Sequence, residues 1–414
     1  MTPAGRPVPG GVAQVVALRL SSRGFAEVPT TPCVPVGKAE LQCYARGSMK
    51  KLSCIQVARG VAVLLVLALH LYSYELRFLP APGLLGDWVI FGNSGVDLFF
   101  ILSGFIIVRT TSETSSPMEF LLRRATRIYP LYWLVTLLFL GAAILAPGAL
   151  DQERLARTDL VRALLLLPQS AEPPLIVAWT LVHEIYFYAV FACFLCLPRM
   201  LLPCLLAIWA LVVAVAPTGG SPSPAVKVAL SPLTLEFIGG CALAWSITLS
   251  SSWPARLGRY LVIAPLLPLA SWALYWVQFG AALPNEWQRC LYWGLPWLAV
   301  LAIAAGAEER LRGAKLLERV GDASYSIYLL HCLIIGAVYR LMVAVLGSNA
   351  VFLPYAALVV ALLLAVGGGM VSYRLVERPM LTSLRRLRAF PQGSSLSEFR
   401  PGSALRSDSR PAHP

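Results

Sequence analysis

The sequence predicts an all-α polytopic membrane protein, with about ten transmembrane helices in one bundle and both termini cytoplasmic. Three observations carry that prediction. Hydrophobic residues make up 57% of the 414-residue chain and charged residues 13%, against about 45–50% and about 25% in soluble domains. The apolar residues gather in runs long enough to cross a bilayer as helices, which takes about 17–25 residues. Finally, the net charge of +13 is sorted by side of those runs, as the positive-inside rule requires. Membrane orientation therefore accounts for the basicity, and nucleic acid is not an expected partner.

The runs fall at 55–75, 88–108, 128–146, 176–197, 201–216, 226–249, 260–279, 289–306, 323–346 and 351–373. Arg109, Arg123, Arg124, Arg127, Arg199, Arg256, Arg259, Arg310, Arg312, Lys315, Arg319, Arg374 and Arg378 occupy the connections on one side. The opposite connections are poorer in cations or diluted by acids, which places both termini in the cytoplasm. Trp88, Trp133, Trp179, Trp253, Trp287 and Trp293 fall near run ends, where interface anchors belong. Residues 1–48 are rich in Pro, Gly and Ser and are expected to be disordered or a mis-annotated extension, with Met49 as the native start. The transmembrane domain is then 49–384, and 385–414 reads as a disordered cytoplasmic tail. Cys193 and Cys196 lie in an apolar run and read as small buried hydrophobes, so no metal set is expected.

The first run, IQVARGVAVLLVLALHLYSYE, is interrupted by Arg59 and His70. Ionisable side chains inside a span are costly and mark functional positions. Eleven residues make three helical turns plus about 20°, so the two share a face about 16 Å apart along the axis. A snorkelling cation and a packing histidine are the plain alternatives, and the shared face argues against coincidence. The second run opens NSGVDLFFILSGFIIVRT. Asp97 lies deeper there than an interfacial residue needs to, while Ser103 and Gly104 suit close helix packing.

The third run enters as FLLRRATRIYPLYW and crowds Arg123, Arg124 and Arg127 into one turn. They satisfy the charge rule, bind lipid headgroups or grip the phosphates of a nucleotide-bearing donor. The fourth, AWTLVHEIYFYAVF, runs inward from the outer side and sets Glu184 about 10 Å deep, level with His70. A buried carboxylate needs a partner, so Glu184 is expected to orient the His70 imidazole; a structural pair between helices is the alternative. His183 lies about 100° around that helix, aligned with Trp179 and Phe187. The ninth run begins GDASYSIYLLHCLIIG, with Asp322 or Ser324 as cap and His331 in the inner half near Tyr325 and Tyr328. After the tenth, YRLVERPM sets Glu377 beside Arg374 and Arg378 as a salt-bridged helix end.

Taken in order, Arg59-x10-His70, GVDLFFILSGFII, RRATRIYPLYW, AWTLVHEIYFY, GDASYSIYLLH and LVERP resemble the motifs of the membrane-bound acyltransferase-3 family. The WTLVHEIYFY form is most similar to its exopolysaccharide O-acetyltransferase branch. The resemblance covers roughly residues 51–380. It implies a ten-helix enzyme of the bacterial inner membrane that moves an acyl group, by default acetyl, from acetyl-CoA or another acyl-CoA to a glycan hydroxyl, with no permanently bound cofactor. It also implies that Arg59, His70 and Glu184 are catalytic and that Arg123, Arg124 and Arg127 hold the donor. Asp97, Ser103, Trp179, His183, Tyr325 and His331 are expected to support that site. His70 then acts as base toward the acceptor hydroxyl or as acyl carrier, and both remain open. A macrolide-like small molecule or a lipid-linked sugar is the alternative acceptor. A transporter or assembly subunit for polysaccharide export is the rival of another class, but the broken helices and repeats it would show are not visible.

Overall fold

The computed structural model describes residues 52–80, 84–111, 116–145, 152–216, 222–250, 252–348 and 350–389. The expectations for 1–48, and for the tail from 390 onward, lie outside them. Among the described residues the chain is helical and contains no strand. Seven helices are long and apolar enough to cross a membrane, and three shorter apolar helices accompany them. In chain order the ten are α1 (Ser53–Phe78), α2 (Ser94–Thr110), α3 (Pro117–Leu145), α4 (Ala178–Phe194), α5 (Leu202–Val215), α6 (Thr234–Leu249), α7 (Leu266–Phe279), α8 (Leu295–Gly306), α9 (Ser324–Leu346) and α10 (Leu353–Ser372). A short helix, Lys315–Asp322, connects α8 to α9. Each of the ten apolar runs in the sequence became one of these helices.

Large apolar side chains lie exposed around the outside, among them Leu137, Leu138, Val212, Val262, Leu363 and Leu364. In water such a belt would be costly, whereas hydrocarbon is its natural solvent. The interior is aromatic where α2, α4 and α6 meet. Phe237 packs at 4.4 Å between ring centroids on Phe187 and at 4.7 Å on Phe100. Close approach of α2 and α6 depends on two glycines: a Cβ on Gly104 would stand 1.9 Å from the Phe237 carbonyl oxygen, and one on Gly240 would stand 2.0 Å from that of Ile101. That is the packing role expected of Gly104, since lipid gives helices no hydrophobic reason to associate and small residues let backbones touch. The fully buried Ala357, Ala361 and Ala365 do the same on α10, four residues apart along one face.

The two ends of α1 define the ends of the bundle. At the basal end, where α1 starts, Glu308 accepts from the Ser53 and Cys54 N–H groups at 2.7 and 2.9 Å. This satisfies donors that a helix cannot satisfy itself. At the distal end the buried Glu75 accepts from the Leu84 and Leu85 N–H groups at 2.8 and 3.2 Å, and Tyr72 donates to Asp87.

Several local expectations change. α3 begins at Pro117, so Arg123, Arg124 and Arg127 sit two to three turns inside a continuous helix whose polar start the apolar run did not reveal. Neither Asp322 nor Ser324 caps α9, because Ala323 holds the cap position. Trp88 is 62% exposed and suits an interface, but Trp293 is fully buried and serves the core. Cys193, at the end of α4, and Cys196, in the turn after it, are exposed rather than buried. Past α10 the chain makes a wide i→i+5 turn at Tyr373–Glu377 and continues as Arg378–Ala389, helical beyond residue 384.

Candidate active site

The first layer of polar residues lies at the basal end and is built on close contact between α1 and the connecting helix. A Cβ on Gly321 would fall 1.9 Å from the Gln56 carbonyl oxygen, and one on Gly60 would fall 2.6 Å from that of Leu317. Contact this close sets Asp322 beside Arg59. The Arg59 guanidinium donates to Gln56 Oε1 at 3.4 Å and lies in the electrostatic reach of Arg127, Glu377, Asp322 and Tyr373. Glu377 is fully buried. One of its oxygens accepts from Arg127 and the other from Ser326 Oγ at 2.5 Å. Arg374 and Arg378, the partners that sequence proximity suggested, do not pair with it. The wide turn aims Glu377 inward instead, toward an arginine 250 residues away.

Farther along the same face of α1 stands His70. Its Nδ1 lies 2.9 Å from the Val66 carbonyl oxygen. A carbonyl only accepts, so Nδ1 carries the proton and Nε2 is left with its lone pair. His331 of α9 meets the ring edge-on, with centroids 4.7 Å apart and planes at 79°. His331 is likewise held by its Nδ1, 3.2 Å from the Ile327 carbonyl, and its Nε2 is 3.4 Å from the Cys332 Sγ. His70, His331 and Cys332 thus bring three donor atoms within 4.8 Å of one another. Tyr328 packs on His331 at 5.9 Å and shares a 2.8 Å hydrogen bond with Thr180 of α4. Counting from the start of the ninth run set His331 in the inner half and His70 nearer the outer leaflet. The packed connecting helix carries the start of α9 to the level of Arg59 and Gly60, which brings the two imidazoles together.

Glu184 departs from expectation. It accepts from Ser103 Oγ at 2.9 Å and from the Tyr188 hydroxyl one turn along α4, and His70 is bonded to its own helix backbone instead. Equal counted depth did not make the two side chains partners: Thr180, one turn before Glu184, reaches Tyr328 beside the histidine pair, while Glu184 turns to Ser103 and Tyr188. Arg124 closes this second cluster. It donates to Thr110 and stacks over the Phe120 and Tyr188 rings at 5.4 and 5.6 Å. Arg123 is exposed and pairs with Glu119 on its own helix. The three arginines of the RRATR motif therefore splay toward three different partners and do not converge on one anion. Tyr325 lies under Arg127 at 5.5 Å and donates to the Ile128 carbonyl.

A third cluster is buried in the middle of the bundle. Asp97 accepts from Arg289 through both oxygens, at 3.2 and 3.0 Å, and neither side chain is more than 7% exposed. Trp179 and Trp293 flank the guanidinium at 5.5 and 5.7 Å. Glu236 lies against the pair with neither oxygen in a hydrogen bond of ordinary geometry. His183 bonds the Trp179 carbonyl at 3.1 Å and faces Phe100. Asp97, Trp179 and His183 thus belong to a packed core around the Arg289 guanidinium and bond neither histidine of the pair. Arg289, at the edge of the eighth apolar run, and Glu236 are members of this cluster that the motifs in the sequence do not single out. The second had a signal, an acid inside the apolar stretch TLEFIGG. The first had a weaker one, the Asn285–Gln288 capping box that starts a helix just before it.

The fold and its intramembrane charges define a class, a polytopic helical membrane enzyme with a polar file along one face of its first helix. The acyltransferase domain profile of the acyltransferase-3 group matches residues 52–374. The chain is a member of this acyltransferase-3 family of membrane acyltransferases. It is 30% identical over 312 residues to the exopolysaccharide production protein ExoZ of Rhizobium meliloti, covering 73% of this chain and 93% of that one. It is 29% identical to the acyltransferase MdmB of Streptomyces mycarofaciens, over 72% of this chain and 83% of the relative. It is 26% identical to the peptidoglycan O-acetyltransferase OatA of Listeria monocytogenes, over 69% and 50% respectively. No solved structure matches the chain.

Proposed function

We propose that the protein transfers an acyl group, by default acetyl, from acyl-CoA to a hydroxyl of a surface glycan or exopolysaccharide, in a bacterial inner membrane with the basal end toward the cytoplasm. The observation that carries this reading is the state of His70. Its Nδ1 proton is committed to the Val66 carbonyl, so a basic Nε2 is left in a half-buried position about 16 Å along the face of α1 from Arg59. An imidazole so poised removes the proton of an attacking hydroxyl, a contribution of typically 10²–10⁴-fold. Attack on the thioester carbon forms the ester and releases the CoA thiol, which takes up the proton. His331 backs the His70 ring as a positioning residue, and the Cys332 thiol sits at its remaining nitrogen. Arg59 lies toward the basal end of the file, where an anionic donor enters. The glycan acceptor is supported by relatives named for exopolysaccharide production and peptidoglycan O-acetylation.

The test is the O-acetyl content of surface polysaccharide, read by proton NMR, in a deletion strain with and without the gene restored. The reading expects the acetyl signals to disappear with the gene and return with it. Unchanged signals in the deletion strain would reject a surface glycan as acceptor.

A further inference from the structure

At the basal end a cavity of about 390 Å³ opens between the connecting helix, the start of α9 and the wide turn after α10. Arg319, Arg374 and Arg378 line it, together with Asp322 and Tyr373. All three arginines are exposed. Their situation differs from that of the RRATR arginines, which are engaged by Glu119, Thr110 and Glu377. Among the described residues Arg319, Arg374 and Arg378 enter no ion pair. The wide turn produces this arrangement by burying Glu377 while leaving Arg374 and Arg378 at the surface.

The cavity also borders Arg59. Asp322 and Tyr373 line it and are electrostatic neighbours of Arg59, whose one hydrogen bond among the described residues is the long contact with Gln56. Three guanidiniums line the cavity with one carboxylate, Asp322, and Arg59 lies within electrostatic reach of that lining. The surplus positive charge suits a group with two negative charges, and planar guanidiniums match phosphate oxygens in pairs.

We propose that this cavity binds a phosphate group at the mouth of the path to His70, with the nucleotide phosphates of the acyl-CoA donor as its occupant. The choice of occupant rests on the donor reading above; a lipid headgroup offers the same phosphate chemistry from a second source. The RRATR arginines then position helices, and the phosphate grip belongs to the connecting helix and the segment after α10.

The experiment uses the full chain in nanodiscs, without turnover. Adenosine 3′,5′-bisphosphate is titrated in phosphatidylcholine discs, and retention of phosphatidylglycerol from mixed discs is measured in parallel. Arg319→Gln and the double variant Arg374→Gln/Arg378→Gln are compared with wild type. Arg312→Gln is the control, because that guanidinium pairs with Glu309 away from the cavity. With two charged hydrogen bonds removed, the double variant is expected to bind the nucleotide at least about tenfold more weakly. The control should stay close to wild type. In the acyl-transfer assay the KM for acetyl-CoA should rise by a similar factor with kcat little changed.

Arginine-dependent retention of phosphatidylglycerol without nucleotide binding would overturn the donor as occupant. Nucleotide and lipid binding that both ignore these arginines would overturn the phosphate site itself. Arginine-dependent nucleotide binding by a wild type that transfers nothing from acetyl-CoA would uphold the site and reject the donor reading instead.

Discussion

Replacing Arg289 by Met tests the electrostatic core most severely. The substitution keeps an unbranched apolar stem, though a shorter one, but removes the cation that faces Asp97 and Glu236, leaving two buried carboxylates side by side. Breaking a buried ion pair from one side costs about 3–5 kcal/mol. Asp97→Asn is milder, about 1–3 kcal/mol, because Glu236 is at hand to receive the guanidinium. The double variant removes one of the two stranded carboxylates and should therefore be more stable than Arg289→Met alone. At about 2–4 °C per kcal/mol for chains of a few hundred residues, Arg289→Met should lower Tm by about 6–20 °C. The assay is the fraction of detergent-purified protein that stays monodisperse after heating. Costs that simply add, with the double variant the least stable, would refute the ion-pair account.

Glu184→Ala removes the acceptor of Ser103 and Tyr188 but touches no atom of His70. It should lower Tm while keeping more than about a tenth of the transfer rate, well above the loss expected from removing a general base; a loss equal to that of a His70 variant contradicts the placement. Gly321→Ala drives a Cβ into the Gln56 backbone, so the connecting helix must shift at a cost of about 1–3 kcal/mol. Its Tm should fall and its KM for the donor rise, and an unchanged Tm would deny the contact. Glu308→Ala strips the cap from two N–H groups of α1 and should cost about 1–2 kcal/mol, read as faster amide exchange at Ser53 and Cys54.

The sequence displayed the helices because a bilayer leaves few alternatives: apolar runs of sufficient length become helices, and all ten did. It also displayed Arg59 and His70, since a charge in an apolar run stands out and the period of one helix decides whether two residues share a face. Contacts between helices were much less legible. Depth counted from the ends of the runs assumed that polar residues at equal depth meet and those at unequal depth do not. That assumption misplaced Glu184 against His70 and separated His331 from it. Partners 192 and 250 residues apart, Asp97 with Arg289 and Arg127 with Glu377, leave no local trace in a single sequence. Glu377 shows the hazard plainly, because its nearest cations along the chain, Arg374 and Arg378, are not the ones it binds.

The Nε2 of His70, left without the ring proton, is the group expected to perform the transfer, and its removal is the most direct test. Wild type and His70→Ala are reconstituted at equal abundance, with equal Tm as proof of folding, and transfer of radiolabelled acetyl from acetyl-CoA to polysaccharide is timed. Val66 holds the ring through its backbone, so the substitution removes the imidazole without stranding a buried charge. With the imidazole gone, the rate should fall by about 10²–10⁴-fold. A folded His70→Ala protein that transfers at a rate close to wild type would contradict it.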